Sequence, residues 1–370
     1  MKRVVLLGGG HSHLEVVRRF GARPAAYTEI SLVDPAQFAT YSGMLPGLIA
    51  GHYNFQACRV DLARLTQHCG VRFVQRRSCS IDTARRQVAL DDGTKLDYDL
   101  VSIDVGSTPP IAGIHGAAEH AIAAKPFTTF AQRWDRLVAS AETGGLRKVV
   151  VIGGGAAGLE LALAMQHRLA HAGARHPIEY AVVTDAHCVL PDHNAGTRAA
   201  LERLLAERGV AVHLNSRVAR VDRDAVVLAD ARRLESDATI WATGAGAPSW
   251  FADTGLALDA RGFVRVDDCL SSVSHREVFA AGDCATIDGH DYPKSGVYAV
   301  RQGPVLAENL RRALAGERLS TYRPQQRALA LISTGNRYAV ASYGRVALEG
   351  AWVWHWKDYV DRKFMRRYRV

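Results

Sequence analysis

Two short apolar runs, each ending in a triple glycine that opens a helical pattern, constrain this chain more than any other feature. The first reads Val4-Val5-Leu6-Leu7-Gly8-Gly9-Gly10-His11-Ser12-His13. The second reads Val149-Val150-Val151-Ile152-Gly153-Gly154-Gly155-Ala156-Ala157-Gly158-Leu159-Glu160. Such runs suit buried parallel strands. A helix starting directly after one presents unpaired N–H groups to a pyrophosphate, and the glycines let the backbone come close to it. One such turn is weak evidence. Two imply two dinucleotides in one chain, and an electron passing between them. The predicted class is α/β, with two Rossmann-like dinucleotide-binding folds, the second inserted in the first, and a small C-terminal α+β region.

Asp34 closes the next apolar run, Ile30-Ser31-Leu32-Val33. An acid at that place accepts hydrogen bonds from a ribose 2′-OH, although an Asp before Pro35 is also an ordinary turn residue. The first turn departs from G-x-G-x-x-G/A at its third position, His13. A small residue there permits close helix–strand packing, so His13 predicts a wider gap or an outward-turned ring. His11 and His13 either touch a phosphate or fill space at the helix start.

Further along, Val71–Val74, Gln87–Leu90 and Leu100–Asp104 read as a β-meander with a turn at Asp91-Asp92-Gly93. Helical character returns at 127–141. The run Ala238-Thr239-Ile240-Trp241-Ala242-Thr243-Gly244 parallels Val101-Ser102-Ile103-Asp104-Val105-Gly106, which suggests an internal repeat. Glu277–Ala280 is a buried strand leading to Gly282-Asp283-Cys284. After it, Tyr292-Pro293-Lys294-Ser295-Gly296 opens a helix over 297–314, whose start stabilises negative charge. Strands are expected at Leu329–Ile332 and Tyr338–Ser342. The alternation Trp352, Trp354, Trp356 fits a strand, before helical spacing resumes at Val360, Phe364 and Tyr368.

At 370 residues the chain holds two or three domains. It has no apolar run of ~18 residues, and the apolar stretch after Met1-Lys2-Arg3 is too short for a signal peptide, so a cytoplasmic protein is expected. The six cysteines form no C-x-x-C pair, which argues against structural zinc and against a local redox disulfide. The net charge of +9 is uneven. Lys357, Arg362, Lys363, Arg366, Arg367 and Arg369 crowd the C-terminus among aromatics, a composition that suits a membrane surface or an acidic partner. No nucleic-acid motif accompanies the rest of the surplus.

Together these motifs resemble the two-dinucleotide-binding-domain flavoproteins, which include type II NADH dehydrogenases and sulfide:quinone oxidoreductases. The most specific segment is Val278-Phe279-Ala280-Ala281-Gly282-Asp283. In that family, Tyr41-Ser42-Gly43-Met44-Leu45-Pro46-Gly47 occupies the place of the redox-active cysteine pair, which excludes the dithiol branch. The chain looks most like the flavoprotein module fused ahead of selenophosphate synthetase, through Gly8–His13, Tyr41–Tyr53, Ile332–Val340 and Trp356–Met365. With no synthetase domain before Val370, it reads as a stand-alone version or an isolated module.

The resemblance implies FAD, with NAD(P)H as electron donor. It divides the chain into an FAD-binding domain (1–112 and 246–322), an NAD(P)-binding domain (113–245) and a C-terminal interface or membrane-surface region (323–370). Gly8, Gly10, His11, Met44, Gly106 and Ser107 would line the FAD site. Asp34 would bind its ribose, and Gly282 and Asp283 its ribityl chain. Lys294 and Ser295 would face the flavin pyrimidine edge, where a cation and a helix start offset negative charge. Gly153, Gly155, Gly158, Thr243 and Gly244 would hold the second nucleotide. Glu160 would lie near the nicotinamide–flavin contact, although an acid in a first helical turn is also favoured by the dipole alone. Lys294 and Glu160 are the candidate catalytic residues, and no metal is implied.

Thr184 stands where the second unit normally carries a ribose acid, with Asp185 one residue off. No Arg is near it in the sequence to meet a 2′-phosphate, so NADH is favoured over NADPH. The expected acceptor is a quinone or a small molecule. Two alternatives stay open: direct reduction by a sulfur or selenium species, for which Cys284 and Cys188 are the nearest thiols, and a flavin-bound partner role in selenium metabolism. The C-terminal region serves packing, a homodimer contact or the inner face of a membrane.

Overall fold

The computed structural model describes residues 1–370. Two five-stranded sheets organise it. The first has the strand order β10-β4-β1-β2-β3, where β1 is Lys2–Leu7, β2 Thr28–Val33, β3 Arg72–Val74, β4 Leu100–Ile103 and β10 Val278–Ala280. The second has the order β5-β9-β6-β7-β8, with β5 Ala121–Ala123, β6 Lys148–Ile152, β7 Glu179–Val183, β8 Val210–His213 and β9 Ala238–Trp241. All pairings in both are parallel, so the second sheet is built from chain inserted between β4 and β10 of the first. Parallel sheets are covered on both faces. This is why β4, β9 and β10 are buried at every position and read as mainly apolar runs, interrupted only by Ser102 and Thr239.

The longer helices are α1 (His11–Ala22), α2 (Phe127–Thr143), α3 (Ala156–His171), α4 (Ala195–Glu207), α5 (Gly296–Ala315) and α6 (Ala351–Arg366). Leu14, Val17 and Phe20 form the buried face of α1, as their spacing predicts. The helix α1 lies against α5 at very close range. A Cβ at Gly303 of α5 would come within 3.1 Å of the Ser12 carbonyl oxygen, and Ser12 Oγ donates to the Ala299 carbonyl at 2.8 Å.

Two expectations are corrected. Residues 72–74 and 100–103 are not outer strands of a meander. They pair in parallel with β2 and β1, because their apolar side chains fill the main sheet. The meander is the antiparallel set Ser78–Asp82, Gln87–Leu90 and Lys95–Asp97, and Val218–Val221, Ala225–Leu228 and Arg233–Glu235 repeat it in the second unit. Likewise Trp352, Trp354 and Trp356 lie not on a strand but on α6. Helical spacing puts Trp352 and Trp356 side by side with stacked rings 6.4 Å apart, while Trp354 turns inward. The strand before them is Val346–Gly350 (β13), which completes an antiparallel sheet with Ala330–Ser333 (β11) and Ala339–Tyr343 (β12). The helix α6 packs across this sheet through Val353 and Trp354. Val360 is exposed, whereas Phe364 and Tyr368 are buried.

Candidate functional site

Both glycine turns lie where the strand order reverses, beside the strand that starts each βαβ unit. In open α/β sheets ligands bind in that crevice. At the first, Gly8 adopts φ +91°, and a side chain there would strike the Asp104 backbone. The Gly9 amide donates to Asp34 Oδ2 at 2.7 Å, and the Ala36 amide donates to Asp34 Oδ1 at 2.8 Å. Burial raises the Asp34 carboxyl against the pull of these two bonds. The Gly10 amide has no partner in the protein.

His13 is not outward-turned; its ring stands in the gap between helix and strand. Its ring is fully buried, with Nδ1 2.7 Å from the Gly8 carbonyl oxygen and Nε2 2.8 Å from Ser102 Oγ. At the matching place in the second turn, a Cβ on Gly158 would collide with the Gly153 carbonyl oxygen. The ring thus replaces close helix–strand contact with two hydrogen bonds. Burial holds His11 and His13 down at about 4, so both rings are neutral near neutral pH. His11 Nε2 is buried with no partner, and its ring packs on Tyr41 and Phe364.

The Gly282-Asp283 turn folds back beside the first glycine turn. Gly282 takes φ +71°, and its amide donates to Gln302 Oε1 at 2.6 Å. Asp283 Oδ2 accepts from Lys125 Nζ at 2.9 Å and from Ser107 Oγ at 3.3 Å. Gly106, at φ +72°, is open to the crevice. Lys294 is half-buried. Its Nζ donates to the Ala285 carbonyl and to Thr286 Oγ1 on the neighbouring strand Ala285–Ile287, and it lies over the Phe263 ring. Desolvation lowers it to about 8. Ser295 is the N-cap residue of α5 and makes no side-chain capping bond.

At the second turn Gly153 has φ +128° and faces the Ala242 carbonyl. Gly155 and Gly244 have nothing within 4 Å of where a Cβ would stand. Thr243 Oγ1 is buried without a partner. Thr184 packs on Gly154 at the end of β7. The reading that no Arg lies near it is corrected in space. The Thr184 carbonyl accepts the Ser216 amide at 2.8 Å, and Arg232 Nη2 donates to Ser216 Oγ at 2.9 Å. Arg232 comes from the second meander, far along the chain, and its Nε is held by Asp230.

The third component is α6. Lys357 is buried, and its Nζ donates to the Gly43 carbonyl at 2.6 Å and to Asp361 Oδ2 at 2.7 Å. Phe364 stacks on Tyr41 with centroids 4.3 Å apart, and Tyr53 donates to Asp358 at 2.7 Å. Met44 is fully buried under this group. Glu160, from α3, accepts the Ser333 amide at 2.8 Å; burial raises its carboxyl to about 7 although Lys357 pulls it down. Sequence reasoning gave no role to Asp104, Lys125, Ser333 or Asp361, and it counted Lys357 among the basic residues of a surface region, whereas α6 turns that side chain inward and buries it. The one local signal was the Lys357/Asp361 spacing inside an otherwise apolar helix face.

The two cradles suit dinucleotides. They offer the unpaired Gly10 amide, the open Gly155 and Gly244, and buried polar atoms without partners on His11 and Thr243. The cavity against the first turn, lined by Gly9, Gly10, His11, Thr40, Tyr41 and Phe364 among others, holds only about 40 Å³. Residues 2–303 match the profile of the pyridine nucleotide-disulphide oxidoreductases. The chain belongs to this family.

As a pyridine nucleotide-disulphide oxidoreductase family member it is a flavin oxidoreductase of the NADH dehydrogenase-like kind. It is 27% identical over 304 residues to an NADH dehydrogenase-like protein of Mycobacterium tuberculosis, covering 77% of this chain and 73% of that one. It is 22% identical to a type II NADH:quinone oxidoreductase of Staphylococcus epidermidis, covering 93% and 90%. In fold it is similar to the sulfide:quinone oxidoreductase of Aquifex aeolicus, with a TM-score of 0.85, 19% identity and coverage of 100% and 92%. The family member contains no helix long and apolar enough to cross a membrane.

Proposed function

We propose that this oxidoreductase binds FAD at the first turn and NADH at the second, and passes electrons to a quinone or another small acceptor. One observation carries the reading. Glu160, on the helix that opens at the second turn, is buried beside Lys357, whose Nζ holds Gly43 of the segment flanking the first turn. The helix of the second turn, α6 and the segment beside the first turn are thus linked through Lys357 and one buried, titratable carboxyl.

Bound flavin supplies a carrier that accepts electrons in pairs and releases them singly or in pairs. The chain supplies the rest. Gly8 and Gly10 let the backbone approach the diphosphate, with Gly106 and Ser107 on its far side. Asp34 holds the ribose, Asp283 the ribityl hydroxyls, and Met44 and neutral His11 pack at the ring. Ser295 and the start of α5 face the pyrimidine edge, with Lys294 behind them. Gly153, Gly155, Gly158, Thr243 and Gly244 receive the second nucleotide. Glu160, protonated below about 7, holds a proton for the acceptor. On this reading residues 1–112 with 246–322 form the FAD unit, 113–245 the NADH unit and 323–370 the interface region.

The NADH:quinone name of the staphylococcal relative supports the acceptor class. The sulfur-donor alternative finds no support in Cys284. Its thiol is fully buried, donates to the Ala281 carbonyl at 3.1 Å and is pushed up to about 12 by burial. The exposed face of α6, with Trp352, Trp356 and Tyr359 beside Lys363 and Arg366, supports docking on an anionic lipid surface. Stopped-flow mixing of the flavin-loaded protein with NADH, NADPH and sulfide tests the donor. Bleaching by NADH is expected, and failure of both nicotinamides to bleach it overturns the reading.

A further inference from the structure

The two halves of the internal repeat share strand order and register around their central strands, and one side chain beside them differs. Ile103 pairs with Leu7 in the first sheet, and Trp241 pairs with Ile152 in the second. The residues that follow, Asp104 and Ala242, make the same bond: each amide donates at 2.8 Å to the last residue of the central strand, Leu7 or Ile152. Only the side chains differ. A Cβ on Gly155 would meet nothing within 4 Å, whereas one on Gly10 would run into the Asp104 carboxyl, and one on Gly282 would run into it from the other side. The carboxyl therefore fills the gap between the two motifs assigned above to the flavin nucleotide. Its Oδ2 accepts the Ser12 amide at 2.8 Å and the His13 amide at 3.1 Å. These amides belong to the first turn of α1, the place where a diphosphate finds its donors.

An ionised carboxylate and a diphosphate at one helix start repel each other, whereas a neutral carboxyl does not. We propose that Asp104 ties retention of FAD to proton uptake: protonated, it shares the start of α1 with the diphosphate, and ionised, it opposes it. This rests on the FAD reading above. Burial already raises the Asp104 carboxyl to about 7, helped by the charge on Asp283, so the proton exchanges within the physiological range.

The groups facing Asp104 are few. From α1 come His11 and His13, both neutral there. From the turn after β10 come Asp283, paired with Lys125, and Cys284, which stays a thiol. Asp34 lies on the far side of Gly9. Lys294, near 8, is the only neighbour that also changes charge in this range.

The test is titration of the full-length, flavin-stripped protein with FAD, followed by FAD fluorescence from about pH 6 to about pH 8.5, with calorimetry in two buffers of different ionisation heat to count protons. Wild-type protein should lose roughly tenfold in affinity per pH unit above about 7 and take up about one proton per FAD. Asp104→Asn, of equal size, should bind FAD more tightly at the alkaline end and keep only the weaker step near 8. A flat wild-type profile without proton uptake overturns the proposal, as does an Asp104→Asn variant with an unchanged slope near 7. If that variant does not fold, the wild-type proton count at about pH 7, where Lys294 stays charged, decides. Absence of saturable FAD binding at every pH overturns the FAD reading itself.

Discussion

Glu160 Oε1 accepts the Ser333 backbone amide at 2.8 Å, joining the helix of the second glycine turn to the C-terminal sheet. Burial raises this carboxyl from the ordinary 4.5 to about 7. The folded state therefore holds the proton longer than the unfolded one, and stability falls as pH rises from about 4.5 through about 7. Glu160→Gln cannot ionise, so its thermal midpoint should gain on wild type across that window. Turnover of NADH with a quinone should drop about 100-fold and lose its decline above neutrality, whereas ferricyanide, which needs no proton, should be reduced at nearly the wild-type rate. Equal losses with both acceptors would remove Glu160 from proton delivery.

Gly155→Val and Gly158→Val should part company. Gly155 has open space around its Cβ direction and a φ of −78°, so valine there should leave the fold and the flavin content intact while abolishing NADH oxidation. At Gly158 the Cβ would strike the Gly153 carbonyl, so valine should prevent soluble expression or lower the melting temperature sharply. Retained NADH turnover in Gly155→Val would show that the nicotinamide nucleotide binds elsewhere.

Asp283→Ala removes the partner of Lys125 and Ser107 as well as the expected ribityl acceptor. The loss of a charged hydrogen-bond partner is worth about 1.5–3 kcal/mol, or roughly ten- to hundredfold in FAD affinity. The ratio of flavin to protein absorbance after gel filtration measures it. A fully loaded yellow variant would count against the assignment.

The lipid-facing role of α6 is tested without truncating the helix, since its inner face carries Lys357 and Phe364. Replacing Trp352 and Trp356, 55% and 38% exposed, with serine should leave the melting temperature unchanged and abolish co-sedimentation with phosphatidylglycerol vesicles. Unchanged sedimentation of the double variant would assign those rings to another partner.

The parts of the site that are contiguous in the chain were legible in the sequence. An apolar run, a glycine and a helix start occupy neighbouring positions, so their spacing carries the geometry of the turns at Gly8 and Gly153. The same holds for the strand before Gly282 and the buried face of α1. Tertiary structure decided what the chain leaves far apart. It buried His13 between Gly8 and Ser102, placed Arg232 beside the end of β7, and set Asp104 against Ser12 and His13. It also made a helix of the tryptophan alternation, because the sheet β11–β13 offers an apolar face that covers one side of a helix and leaves the other to solvent. Spacing along the chain encodes local backbone geometry. Which buried charge meets which amide depends on packing between elements that no local pattern records.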